Sequence, residues 1–351
     1  MTLGSVILVF LFAAILWRGG FPVIPDRVAL SRVSPGVIVG YAVCWLCVLL
    51  VRSVRWRYLL APVAPIPLWR VVRVSLIGFG ALCLLPLRLG EAVRPTLIQQ
   101  RDKIGWWEAV GTVGAERVLD GLFLTATLAF ALFSTKWLAP LPDHIGALPV
   151  PVALVPGATT AALTLFTVLF VALGLFYWSR DFAQHIIART VGRISERGAA
   201  WITSAITRTA SGLSFLPMWR YLGPFFALTI VYWVLNAAAF MWLMRGCGLT
   251  SATFGQAWVA MGVLGLGVVV PNAPGYFGAF QLSLYAGLAL YFQADVVTAA
   301  GAVFVFYAYV LQLGVTVFVA LLAWLANSWY GSKLAVPFEA DRPSPGPGSM
   351  A

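Results

Sequence analysis

Gly80-Ala-Leu-Cys-Leu-Leu-Pro86-Leu-Arg-Leu-Gly90 and Gly265-Leu-Gly-Val-Val-Val-Pro271-Asn-Ala-Pro274-Gly275 decide how this chain is read. Each opens on Gly inside an apolar run, meets Pro six residues later and reaches Gly four residues after that. Pro removes a backbone donor and clashes with the preceding turn, so a helix breaks there. Inside a bilayer, irregular backbone persists only against protein or a water-filled cavity. Paired interruptions in corresponding halves of a membrane chain point to a transporter's binding site.

Composition agrees with a membrane setting. Hydrophobic residues make up 61% and charged residues 10% of the chain, with a mean hydropathy of +0.91. Those values exclude an ordinary soluble domain. Fifteen Trp and eleven Tyr suit two interfacial belts. The net charge of +11 is carried by arginines flanking apolar runs, which reads as topology and contact with anionic headgroups rather than nucleic-acid binding. The start, Met1-Thr-Leu-Gly-Ser-Val-Ile, lacks a basic signal-peptide region and reads as a retained first span. Cys44-Trp-Leu-Cys47 has redox spacing, but within an apolar run it reads as packing. With His144 and His185 as the only histidines and no Walker loop or nucleophile elbow, no ATP chemistry, metal or cofactor is expected.

Continuous spans are predicted at 2–17, 37–51, 108–134, 151–178, 222–244 and 296–327, from apolar length against a hydrocarbon core of ~30 Å. Segments 74–87 and 256–292 carry the breaks; the first reads as a half-helix that enters and returns, the second as two half-helices. The expected fold is an all-α polytopic bundle over 1–330. Its halves, about 1–178 and 179–330, are related by inversion, and residues 331–351 form a Pro-rich disordered tail. Basic stretches 52–73 and 179–220 place both termini in the cytoplasm, although Arg18, Arg27, Arg32 and Arg245 then fall outside. Within 179–220, Arg189, Arg193 and Arg197 recur opposite an apolar face, as on a helix lying against headgroups.

The ionisable residues cluster after the first break. Arg88, Glu91 and Arg94 fall one turn apart, while Glu116, Arg117 and Asp120 lie inside the span 108–134. Charges within a span are costly and normally face a cavity or each other. One polar nest with surplus arginine would hold an anionic lipid headgroup, the guanidinium fork suiting phosphate. The same residues read equally as an ion-pair lock bracing the broken helix. The second break offers no charge. Its freed amides, Asn272, Gly275 and Gln281, would line the cavity, with a half-helix N-terminus favouring an anion. Gly80, Pro86, Gly90, Pro271, Pro274 and Gly278 are the structural punctuation of the two breaks.

Taken in order, Arg55-Trp-Arg-Tyr-Leu-Leu, Arg88-Leu-Gly-Glu91-x-x-Arg94-Pro95, Glu116-Arg117-x-x-Asp120 and Pro271-x-x-Pro274-Gly275-x-x-Gly278 resemble the lysylphosphatidylglycerol synthase transmembrane-region family, also called flippase-like. The resemblance implies a bacterial inner-membrane protein. In the family's best-known members this region moves aminoacylated phosphatidylglycerol between leaflets, and a following soluble domain attaches the amino acid. No such domain is expected here, so the implied role is a stand-alone flippase of an anionic or isoprenoid-type lipid rather than an enzyme. Membrane lipids, and a separate lipid-modifying enzyme, are the implied partners. Two rivals stand beside it: a membrane enzyme of lipid or polyprenyl-phosphate metabolism, and a non-transporting scaffold docking through 179–220.

Overall fold

The computed structural model describes residues 3–20, 22–99, 104–142, 144, 152–178, 196–269 and 273–333. The tail, the surface-helix segment 179–195, Pro271 and Asn272 therefore lie outside the described residues. All regular structure within them is helical: α1 (Leu3–Arg18), α2 (Arg27–Ser31), α3 (Pro35–Leu60), α4 (Leu68–Leu84), a 3-10 turn (Pro86–Ala92), α5 (Val93–Gln99), α6 (Trp106–Ser134), α7 (Leu154–Trp178) and α8 (Glu196–Ser211). They continue with α9 (Trp219–Gly246), α10 (Phe254–Gly267), a second 3-10 turn (Pro274–Tyr276), α11 (Ala279–Ala289), α12 (Ala294–Thr298) and α13 (Ala300–Lys333).

Five segments are long and apolar enough to cross a membrane: α3, α6, α7, α9 and the run Ala294–Asn327. The sixth expected span, α1, has 16 residues and reaches only ~24 Å, short of the hydrocarbon thickness. A larger departure concerns α3, which continues to Leu60 instead of stopping at residue 51. Ser34 caps its start by accepting from the Val37 N–H, Pro35 occupies the first turn, and no breaker follows before Ala61. Arg52, Arg55 and Arg57 are thus helical rather than loop residues.

Both broken segments are helical hairpins. In the first, α4 runs inward for ~25 Å and the chain returns through the 3-10 turn and α5, whose summed rise is about the same. Gly90 lies on the backbone of Ala81 and Leu82, and Gly78 lies beneath the Arg94 side chain. The pairing is symmetric about Pro86. In the second, Gly267 faces Ser283 and Gly287 faces the Cα of Ala260, a pairing centred near Pro274. Its arms, of 14 and 11 residues, are each too short to cross.

The two halves follow the same order of elements, a long helix, a hairpin and a further long helix. Helices α3 and α9 pack antiparallel along their length, with Val37 on Gly246, Gly40 on Trp242, and Arg55 bonded to Thr229. The inward arm of each hairpin lies antiparallel to the span that follows the hairpin of the opposite half. Helix α4 meets α13 at Gly80–Ala320 and Arg70–Asn327; α10 meets α6 at Gly255–Thr135, Gly262–Leu128 and Gly265–Leu124. Gly80 and Gly265 therefore sit inside continuous helices as close-approach positions, not at the interruptions. The chain actually leaves α-helix at Leu85, where Pro86 follows directly and forbids the next hydrogen bond, and at Val268.

A Cβ at Gly90 would strike the Ala81–Leu82 backbone, whereas one at Gly314 meets nothing. Gly90→Ala should lower stability by about 1–3 kcal/mol, as overpacking does, and Gly314→Ala should be neutral or mildly stabilising. Thermal unfolding of the detergent-solubilised variants reads both outcomes.

Candidate functional site

Between the hairpins lies a cavity of about 410 Å³, walled by α3, α4, α6, α9, α10 and α13 and reached by Phe166 of α7. Its lining is mixed: apolar side chains, Leu49, Leu124, Met261, Leu264 and Leu313 among them, stand beside the charged Arg52, Arg88, Glu91, Arg117 and Asp120. Asn236, Gln312, Tyr232, Tyr276 and Tyr309 add polar atoms around it.

Beside the cavity's charged residues sits a largely buried ion-pair network, with Arg55 and Glu116 wholly enclosed and Arg117 partly exposed. Glu116 lies ten residues, ~15 Å, into α6 and is wholly enclosed. It accepts from Arg55 Nη2 at 2.8 Å, Arg94 Nη1 at 2.8 Å and Arg117 Nη2 at 3.0 Å. Arg55 also donates through both terminal nitrogens to Asp120, and through Nη1 to Thr229 Oγ1 at 3.0 Å. Tyr232 completes Asp120 with an O–H bond to Oδ1 at 3.2 Å. Arg55 and Arg94 are stacked on rings, Arg94 lying 4.0 Å from the centroid of Trp56, which itself bonds Thr112. Helices α3, α5, α6 and α9 are thereby tied at one point. Shared guanidinium forks satisfy both carboxylates, the condition under which buried charge is tolerated.

The predicted nest is thus divided between two places. Glu116 and Arg94 lie behind the cavity in the network; Arg117 and Asp120 belong to the network and also face the cavity. Arg88 and Glu91 pair with each other at 2.6 Å on the tip of the first hairpin. From there Arg88 Nη1 donates to the carbonyls of Val268 and Val269, both at 2.9 Å, where α10 ends. Gly275 lines the cavity, but Gln281 is spent elsewhere: its Oε1 accepts from the Gly278 N–H at 2.7 Å and caps α11. Two residues other than glycine have left-handed backbone, Arg88 (φ 59°) and Tyr276 (φ 57°), one in each break and both facing the cavity. Such strain gathers where surrounding structure over-determines it.

A family model described as the lysylphosphatidylglycerol synthase TM region matches residues 1–316. The chain belongs to that family. Comparisons with curated proteins and with solved structures return no significant match. The membrane-region family thus covers both hairpins and the network, and the chain is an integral membrane protein of this family.

Two arginines of this family member escaped sequence reading. Arg55 anchors the network, and Arg52, one turn earlier, faces the cavity. The signal was available as two arginines at i,i+3 directly continuing an apolar helix, but they were counted with the basic loop. Arg70 shows the same misreading, being buried and bonded to Asn327 and Leu97. Three of the five arginines that oriented the 52–73 stretch are therefore engaged inside the protein.

Arg52 differs from the network arginines. Its guanidinium lies 4.9 Å from the Phe79 ring centroid and 5.6 Å from that of Tyr232, yet no carboxylate pairs with it among the described residues. Nε of Arg52 and Oδ1 of Asn236 are buried without partners. Across wall and network, five arginines face three carboxylates.

Removing Arg55 would strand Glu116 and Asp120. Arg55→Gln should cost about 3–5 kcal/mol, the usual result of breaking a buried pair from one side, and Arg52→Gln far less. Comparing melting temperatures and folded yield of the two variants tests the difference.

Proposed function

We propose that this protein moves a lipid with an anionic headgroup between the leaflets of a bacterial inner membrane. The observation that carries this reading is Arg52, a cation on the cavity wall with no carboxylate partner among the described residues. Holding an unneutralised charge inside a membrane bundle is costly, and an anion entering the cavity removes that cost. Arg88 and Arg117 line the same cavity, and the guanidinium fork matches phosphate oxygens. The apolar side chains that line it as well would suit the acyl part of an amphiphile.

The scaffold also favours transport over catalysis. Two inverted halves with broken helices meeting at a central cavity are the build of alternating-access carriers. The carboxylates of the site accept hydrogen bonds from arginines and a tyrosine, so their oxygens are engaged in structural pairs. Membrane lipid is the proposed partner, with the basic 179–220 segment on the cytoplasmic side.

The test is leaflet exchange of fluorescent phosphatidylglycerol in proteoliposomes. Arg52→Gln should slow exchange roughly tenfold or more, the loss of one charge-assisted hydrogen bond, while the melting temperature stays near that of the unmodified protein. Exchange at an unchanged rate would sink the reading.

A further inference from the structure

Two carboxamides line the cavity, Gln312 of α13 and Asn236 of α9. Gln312 is paired: its Nε2 donates to the Tyr41 hydroxyl at 2.8 Å. Asn236 is 8% exposed, yet its Oδ1 is buried and finds no partner among the described residues. Trp233, one turn earlier on the same helix, also lines the cavity, and its buried Nε1 is likewise without a partner. A buried polar group that makes no hydrogen bond has lost its hydration without replacement, so such groups call for a functional account. Asn236 stands one helical turn, ~6 Å, past Tyr232, whose ring lies 5.6 Å from the Arg52 guanidinium. Arg52 and Asn236 are therefore two successive stations along one cavity.

We propose that Asn236 is a specificity-determining residue that takes a hydroxyl of the headgroup whose phosphate Arg52 holds. This rests on the lipid reading above and narrows it to anionic lipids with a short polyol headgroup. A phosphate at Arg52 leaves Asn236 one turn further on, within reach of an alcohol extending from that phosphate. A half-turn of the amide exchanges Oδ1 for Nδ2, and Trp233 adds another donor, so the two side chains offer both an acceptor and donors. A hydroxyl answers both, because it donates and accepts. An ammonium only donates, and an alkyl group does neither. The charge of the cavity opposes an ammonium as well. Arg52, Arg88 and Arg117 line it, and the carboxylates among its lining residues, Glu91 and Asp120, are already paired with arginines. An alcohol brings no charge, and one neutral amide replaces the water it gives up.

Phosphatidylglycerol and phosphatidylpropanol carry the same charge and the same headgroup carbon chain, but the second lacks both hydroxyls. In proteoliposomes, acyl-labelled phosphatidylglycerol should exchange between leaflets roughly fivefold faster, the factor that one neutral hydrogen bond represents. Asn236→Leu, which keeps the branched shape, should bring phosphatidylglycerol down to the phosphatidylpropanol rate, so that the difference disappears. A purely structural role would slow both lipids alike and leave their ratio intact. Because the change strands no partner of Oδ1 among the described residues, the melting temperature should hold or rise. Equal rates for the two lipids in the unmodified protein overturn the hydroxyl subsite, and so does a difference that survives Asn236→Leu. Phosphatidylethanolamine, whose headgroup ends in an ammonium, should exchange more slowly than phosphatidylglycerol; an equal or faster rate also overturns it. The comparisons in the unmodified protein decide the matter even where Asn236→Leu does not fold. If Arg52→Gln slows both anionic lipids and their rates are equal, the Asn236 subsite alone falls. If Arg52→Gln slows neither, the underlying lipid reading falls instead.

Discussion

A peptide group left unpaired in hydrocarbon costs several kcal/mol, and the architecture follows from meeting that requirement where two helices stop at membrane depth. The answers differ at each loose end. The last carbonyls of α10 take Arg88, and the first amide of α11 takes Gln281. The first hairpin shortens its problem by tightening into a 3-10 turn and folding Gly90 onto the backbone of α4. The first tip is completed within its own hairpin, and the second also takes Arg88 from the first.

The buried network performs a related service for side chains. Arg55, shared between Glu116 and Asp120, lets four helices converge without leaving a carboxylate unpaired. It also frees the cavity wall. Glu116 is hydrogen-bonded by Arg55, Arg94 and Arg117, and Arg52, beside the cavity, forms no ion pair among the described residues. Structural stability and proposed headgroup recognition thus draw on one set of arginines, divided by depth: paired behind the wall and available on it.

Much of this was legible in the chain. Pro86 and Pro274 mark the hairpin centres, and apolar length separated the short hairpin arms from the long spans everywhere except at α1. What escaped were relations set by tertiary contact. Gly80 and Gly265 looked like the start of each interruption, but their role is to admit Ala320 and Leu124 of the opposite half, which no local pattern reveals. Arg52 and Arg55 were assigned to a loop because charge is a strong signal for the end of a span. Only the network shows why α3 can carry them onward. Arg88 and Arg94, six residues apart, were expected on one side; the 3-10 turn changes the angular step and sends them to different partners.

The one-sided Arg88 contact bears on the energetics of any cycle such a molecule performs. In a carrier of inverted halves, the opposite-facing state arises when the halves trade conformations. Perfect twins would make the two states equal in energy, with neither preferred at rest. Here the trade gives up a bond for which the other tip has no equivalent donor. The two facings are therefore unequal by construction. In a carrier, such an inequality would set a resting preference that a traversing cargo would have to offset on each turnover.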